Sequence, residues 1–198
     1  MKRKASVSGE FYTHQQLWLY AQDLDTLRSE NKGAYDALTC SMLLSAAFAI
    51  EAHANYLLEN TCPNEYQEER KFFSQGPYRG TPGKLCFLGE RLGVPVDRGV
   101  RPYHTIKELF GWRDRIVHGR VERIKEEVSY IVPDQVEAPE PRLLRANQTA
   151  WGKRVFEDAQ DLCSQLQKAA FEKNTKEVYG PKAFTGFLGL RGISLNKS

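Results

Sequence analysis

The chain has 198 residues and a 41% hydrophobic content, enough for one domain that buries a core without disulfide or metal staples. Its formal net charge of +3 excludes a uniformly basic nucleic-acid binder and leaves only a local basic face. Cys40, Cys62, Cys86 and Cys163 form no C-x-x-C pair and no zinc spacing, and no secretory leader is read before them, so a reducing cytoplasm is the expected location.

In chain order, Thr13 and Gln16 have the form of a capping box, and Leu17, Tyr20, Leu24 and Leu27 recur behind them at helical spacing. A second, long helix is expected from about Ala34 to Asn60, rich in Ala and Leu and stopped by Pro63. Its most apolar stretch, ALTCSMLLSAAFAIEAHANYLL, is broken by Glu51, His53 and Asn55, so no membrane span is expected. Thr81-Pro82 reads as N-cap and first position of a third helix carrying Leu85, Leu88 and Leu92, closed by Gly93. Thr105 and Glu108 repeat the capping-box pattern, opening a helix that runs to His118, with Gly119 suited to a left-handed C-cap.

Residues 120–132 fit either a helix or a strand, with helix preferred. Residues 133–148 contain three prolines and read as a loop. Thr149 caps a last helix with the stripe Val155, Ala159, Leu162, Leu166 and Ala170, ending near Lys173. The sum is an all-α, up-and-down bundle of about five helices spanning 1–179. A loosely packed, Gly-rich basic tail follows over 180–198.

The fourth helix holds an anomaly. Its inward stripe by spacing is Ile106, Phe110, Arg113 and Val117, which puts a guanidinium where a leucine is expected. An unpaired buried guanidinium costs several kcal/mol, so it requires a carboxylate, a phosphate or a wet cleft. Leu44, Phe48, Glu51, Asn55 and Leu58 share a face of the second helix, so Glu51 and Asn55 are expected to meet Arg113 in a polar pocket. His118 lies about 140° around the axis from Arg113, whereas Asp114, four residues before it, is placed to hold the imidazole. Gly111 suggests close approach by another helix or a ligand. From Arg98 to Lys125 eight Lys or Arg stand against three acids, a local +5 that includes Lys107, Arg115, Arg120 and Arg123. With Trp112 and Tyr103 interleaved, this suits a single-stranded polynucleotide.

The stretch R-D-R-I-V-H, Arg113 to His118, resembles the signature of the HEPN superfamily of small helical bundles: an Arg, a polar residue directly after it, and a His a few positions on. FAIEAHANYLLE resembles the core helix of that family, with Glu51 as its acidic residue, and the likeness extends loosely over residues 12–172. It implies a metal-independent endoribonuclease without cofactor, acting as a homodimer whose two motifs face one another in a composite site. In that site His118 moves a proton, Arg113 stabilises phosphoryl charge, Asp114 orients the His, and Glu51 with Asn55 positions the Arg. Such proteins serve as toxins, antiviral-defence effectors or RNA-processing enzymes, some restrained by an antitoxin or regulatory protein. One departure stands out: the subgroup paired with nucleotidyltransferase antitoxins has a Tyr two residues past the His, where this chain has Arg120.

Blander readings stay open beside these. Arg113 with Glu51 also suits a structural ion pair, His118 a helix C-cap, and the whole chain a non-catalytic HEPN-like module that binds a nucleotide or a protein. His53 reads as a satisfied surface or interhelix histidine, and His14 and His104 have no assigned role. GPYRGTPGKL, residues 76–85, is Gly-rich and basic but fails the phosphate-loop spacing and reads as a turn and helix cap.

Overall fold

A computed structural model describes residues 12–119 and 149–173, together with 178, 180 and 182–184. Among them every regular element is helical: α1 (Thr13–Glu30), α2 (Tyr35–Thr61), α3 (Pro63–Gln67), α4 (Glu69–Phe72), α5 (Gly80–Leu92), α6 (Tyr103–Val117) and α7 (Thr149–Lys173). The five long helices are those expected from periodicity. The short α3 and α4 occupy a stretch too polar and too brief to show a period. The helix expected at 120–132, the loop at 133–148, and with them Arg120 and Arg123, lie outside the described residues.

The axis of the bundle is α2, which packs against α1, α5, α6 and α7. Met42, Leu43, Ala46, Ala47, Ala49, Ile50, Ala54 and Leu57 have no exposed surface, and the small alanines let neighbours approach from several sides. By length and composition α2 could cross a membrane, against the expectation from its sequence, because three polar residues in so long a helix leave it apolar overall. That apolarity serves the core here, with half of its most apolar window buried inside the bundle.

On α7 the expected stripe of Val155, Ala159, Leu162, Leu166 and Ala170 is buried throughout. Arg101, just ahead of α6, grips the buried Asp158 of α7 with two donors, Nε to Oδ2 at 2.8 Å and Nη2 to Oδ1 at 2.7 Å. This bidentate pair ties the start of α6 to α7.

Helix boundaries differ from the capping signals. Tyr12 and Pro102 are the N-cap residues of α1 and α6, without side-chain cap bonds, so neither Thr13–Gln16 nor Thr105–Glu108 forms a capping box. Thr81 is likewise inside the first turn of α5 and buried, not capping it. The glycine stops hold: Gly93 and Gly119 both adopt left-handed backbone, with φ of 74° and 54°.

The inward face of α1 also differs. Tyr20 and Leu27 are half exposed, while His14, Trp18, Ala21 and Arg28 are buried. The large indole of Trp18 gains most by burial and turns the helix, stacking on Phe184 at 4.1 Å between ring centroids and lying against Phe156. Val178, Ala183 and Phe184 are buried, so the packed unit runs past position 180, where a loose tail was expected to begin.

Two glycines in helices make opposite demands. A Cβ on Gly83 in α5 would stand 2.0 Å from the backbone carbonyl carbon of Tyr78, whereas one on Gly111 in α6 would meet nothing within 4 Å. The close approach expected at Gly111 is therefore absent among the described residues and occurs at Gly83. Gly111→Ala is expected to stabilise the protein by up to about 1 kcal/mol, through helix propensity alone. Gly83→Ala is expected to destabilise it by about 3 kcal/mol, because backbone must move. Urea midpoints of the two variants moving in the same direction would contradict this packing.

Candidate functional site

Arg113 and Glu51 meet as the register requires. Nη2 of Arg113 donates to Oε2 of Glu51 at 3.2 Å across the α2–α6 seam, and the guanidinium lies 5.1 Å from the Phe110 ring centroid. The side chain of Arg113 keeps 19% of its surface exposed, so it borders the core and is not sealed in it. The buried positions of α6 are Tyr103, Thr105, Ile106, Leu109, Phe110 and Trp112, while Val117, expected inside, is exposed.

The carboxylate of Asp114 approaches Nη1 of Arg113 at 3.4 Å. Among the described residues it forms no hydrogen bond or ion pair with His118, so the orienting role expected of it is replaced by a second hold on the guanidinium. His118 is the C-cap residue, exposed where the chain leaves the helix through Gly119. Glu51 and Asp114 occupy two of the five N–H groups of Arg113, and Nε is buried without a partner among the described residues.

Asn55 does not join this group. Its Oδ1 accepts from Nζ of Lys84 at 2.7 Å, and the same ammonium pairs with Glu69 of α4 and lies 5.7 Å from the Phe73 ring centroid. One turn of α2 therefore separates two polar intrusions, Glu51–Arg113–Asp114 and Asn55–Lys84–Glu69. Lys84 went unrecognised in the sequence, although it stands four residues before Leu88 in an apolar register, the same signal that singled out Arg113.

Of the residues expected to contact RNA, Lys107 and Arg115 are exposed on α6. Trp112 is not available for stacking: only 1% of it is exposed and its ring packs edgewise on Trp151. Its indole buries too much apolar area to be left in solvent beside a core this close. A cleft of about 440 Å³ lies between the ends of α2, α5 and α7, lined by Cys62, Asn64, Arg91 and Lys173 among others, and neither Arg113 nor His118 borders it. Among the described residues no three His, Cys, Asp or Glu gather as a metal site.

A third polar cluster lies inside the bundle. His53 is fully buried and shares a hydrogen bond of 3.0 Å between its Nε2 and Oε1 of Gln167, whose amide nitrogen in turn donates to the Gly180 carbonyl. His14 packs 5.3 Å from the His53 ring and 4.9 Å from Tyr56. Burial, reinforced by mutual repulsion, holds His14 down to about 3, and burial holds His53 down to about 4 against the opposing bond to Gln167. Both rings are neutral at neutral pH. His53 is thus an interhelix histidine, as one of the sequence readings had it, and His14, which had been given no role, is its partner.

No family model, curated protein or solved structure matches this chain.

Proposed function

We propose that the chain is a HEPN-like bundle and a metal-independent endoribonuclease, working as a homodimer with a composite site. The observation that carries this reading is the guanidinium of Arg113, drawn to the edge of the core by Glu51 and Asp114, five residues before an exposed imidazole at the end of the same helix. A phosphodiester at that edge would meet the N–H groups of Arg113 not engaged by carboxylates, with the exposed cations Lys107 and Arg115 on the same helix.

In the reaction, the 2′-hydroxyl of a ribose attacks the adjacent phosphorus and its proton passes to an imidazole. The P–O5′ bond breaks, and the leaving oxygen takes a proton from a second group. Arg113 neutralises the charge that builds on the non-bridging oxygens. Two protomers supply the two imidazoles such a sequence needs, one as base and one as acid. His118 lies off the Arg113 face of its own helix, so a facing copy completes the constellation.

The experiment is product analysis on a labelled single-stranded RNA. Fragments are expected to carry a 2′,3′-cyclic phosphate and a 5′-hydroxyl, at a rate unchanged by a chelator of divalent cations. Fragments with a 3′-hydroxyl, or activity lost with the chelator, reject the mechanism. A protein that binds RNA and leaves it intact points to the non-catalytic module, which the closed Glu51–Arg113–Asp114 ion pairs also suit.

A further inference from the structure

The motif GPYRGTPGKL has no part in the proposed reaction, yet the structure gives it a definite shape. Gly76–Tyr78 form a single 3-10 turn, Gly80 has a φ of 66°, and the bare Gly83 lets the Tyr78 backbone lie directly on α5. Tyr78 is further held by its hydroxyl, which donates to Glu90. The result is a fixed aromatic ring at the surface.

Phe72, at the end of α4, faces that ring. The two are parallel within 8° and 6.2 Å apart between centroids, and Phe72 is 37% exposed. Behind them Phe87 contacts both edgewise, at 5.1 Å and 5.3 Å, and Phe73 closes the base of the cluster. A large aromatic side chain left this exposed, on a rigid backing of other rings, is well formed for a planar ligand and poorly explained by core packing.

The charges around it are mixed, and the cations without a carboxylate partner among the described residues are arginines. From Arg70 to Gly89 the sequence holds Arg70, Lys71, Arg79 and Lys84 and no acid. Lys84 is buried in its own pair with Glu69, and Lys71 pairs with Glu68. Arg70 and Arg79 are exposed and engage no carboxylate among the described residues. Arg98, from the α5–α6 connection, is near enough to Tyr78 for its charge to act on the phenol. Glu65, Glu68 and Glu90 are the acids beside the rings, with Glu65 already paired to Arg91.

We propose that Phe72 and Tyr78, flanked by Arg70, Arg79 and Arg98, form a platform on which an unpaired base of single-stranded RNA stacks while its phosphates meet the arginines. Stacking on an aromatic face accepts any base and requires that the base be unpaired, which makes the ligand class single-stranded. Beneath the surface, a series of contacts joins the platform to the Arg113 site: Phe72 to Phe73, Phe73 to Lys84, Lys84 to Asn55, and one turn of α2 from Asn55 to Glu51. The platform rests on the ribonuclease reading for its purpose, but the binding itself does not.

The test is fluorescence anisotropy with a labelled, mixed-sequence single-stranded RNA and the same RNA annealed to its complement, in buffer without divalent cations. His118→Ala protein is used so that any cleavage does not interfere. The single strand is expected to bind more tightly than the duplex, and Phe72→Ala to weaken single-strand binding about tenfold, with Tyr78→Ala similar. Phe72→Trp is expected to restore binding, with its indole emission quenched as RNA is added. Arg70→Ala with Arg79→Ala is expected to flatten the dependence of affinity on salt. Equal affinity for duplex, or single-strand binding unaffected by Phe72→Ala and without quenching in Phe72→Trp, overturns the platform. Those outcomes concern binding alone. Failure of the ribonuclease reading appears separately, as RNA that wild-type protein binds and does not cut.

Discussion

Cleavage of single-stranded RNA is expected to fall at least 100-fold in His118→Ala, with the thermal unfolding midpoint unchanged. The size follows from the usual contribution of a positioned acid or base, roughly 100- to 10,000-fold. The unchanged stability follows from the exposure of the ring and its lack of side-chain partners among the described residues. Arg113→Lys is a sharper companion than Arg113→Ala. It retains a cation for Glu51 and removes the forked guanidinium that can hold a phosphoryl group and a carboxylate together. Its activity is expected to fall by a similar factor. Because the proposed site takes residues from two copies, mixing His118→Ala with Arg113→Lys protein is expected to restore part of the activity through heterodimers. Full activity of His118→Ala alone, measured on purified protein, rejects the assignment.

Acidification is expected to destabilise the bundle steeply between pH 6.5 and about 4. The unfolded chain protonates its histidines near 6.5, whereas folded His53 resists until about 4 and His14 until about 3. Over that interval the unfolded state binds more protons, so stability falls as the pH falls, and the loss stops growing once the folded groups also titrate. At pH 5 each ring contributes about 2 kcal/mol of destabilisation, and the pair about 4 kcal/mol. Ordinary carboxylates remain ionised through most of this range, so the effect is read cleanly from urea midpoints at pH 7 and pH 5. His14→Phe keeps a flat ring against Tyr56 and removes one titrating group, and its midpoint is expected to shift by about half as much. A wild-type midpoint that stays constant from pH 7 to pH 5 contradicts the buried neutral pair.

What was legible in the chain and what was not follows from the range of each signal. Periodicity located all five long helices, since the stripe of α7 and the alanine-rich run of α2 need no knowledge of their neighbours. A cation in an apolar register located Arg113 and its partner Glu51, because an unpaired guanidinium has few tolerable surroundings. The same logic applied to Lys84 would have reached Asn55 and Glu69, and Asn55 would not have been assigned to Arg113. Capping boxes misled at Thr13 and Thr105, where the burial of Trp18 and Tyr103 outweighs one side-chain hydrogen bond. The His14–His53 contact was invisible, since it joins two helices through the relative rotation of α1. That rotation is decided by Phe156 and Phe184, far along the chain.

Those two rings also bear on the order in which the molecule assembles as it is made. The hairpin of α1 and α2 can pair as soon as its own residues emerge, for the two helices are adjacent in sequence and in space. The indole of Trp18, however, lacks its two aromatic neighbours, Phe156 and Phe184, until α7 and then position 184 have been synthesised. α1 is thus made well before the rings that cover its indole, and a nascent chain carries an uncovered apolar edge on that helix until position 184 has emerged.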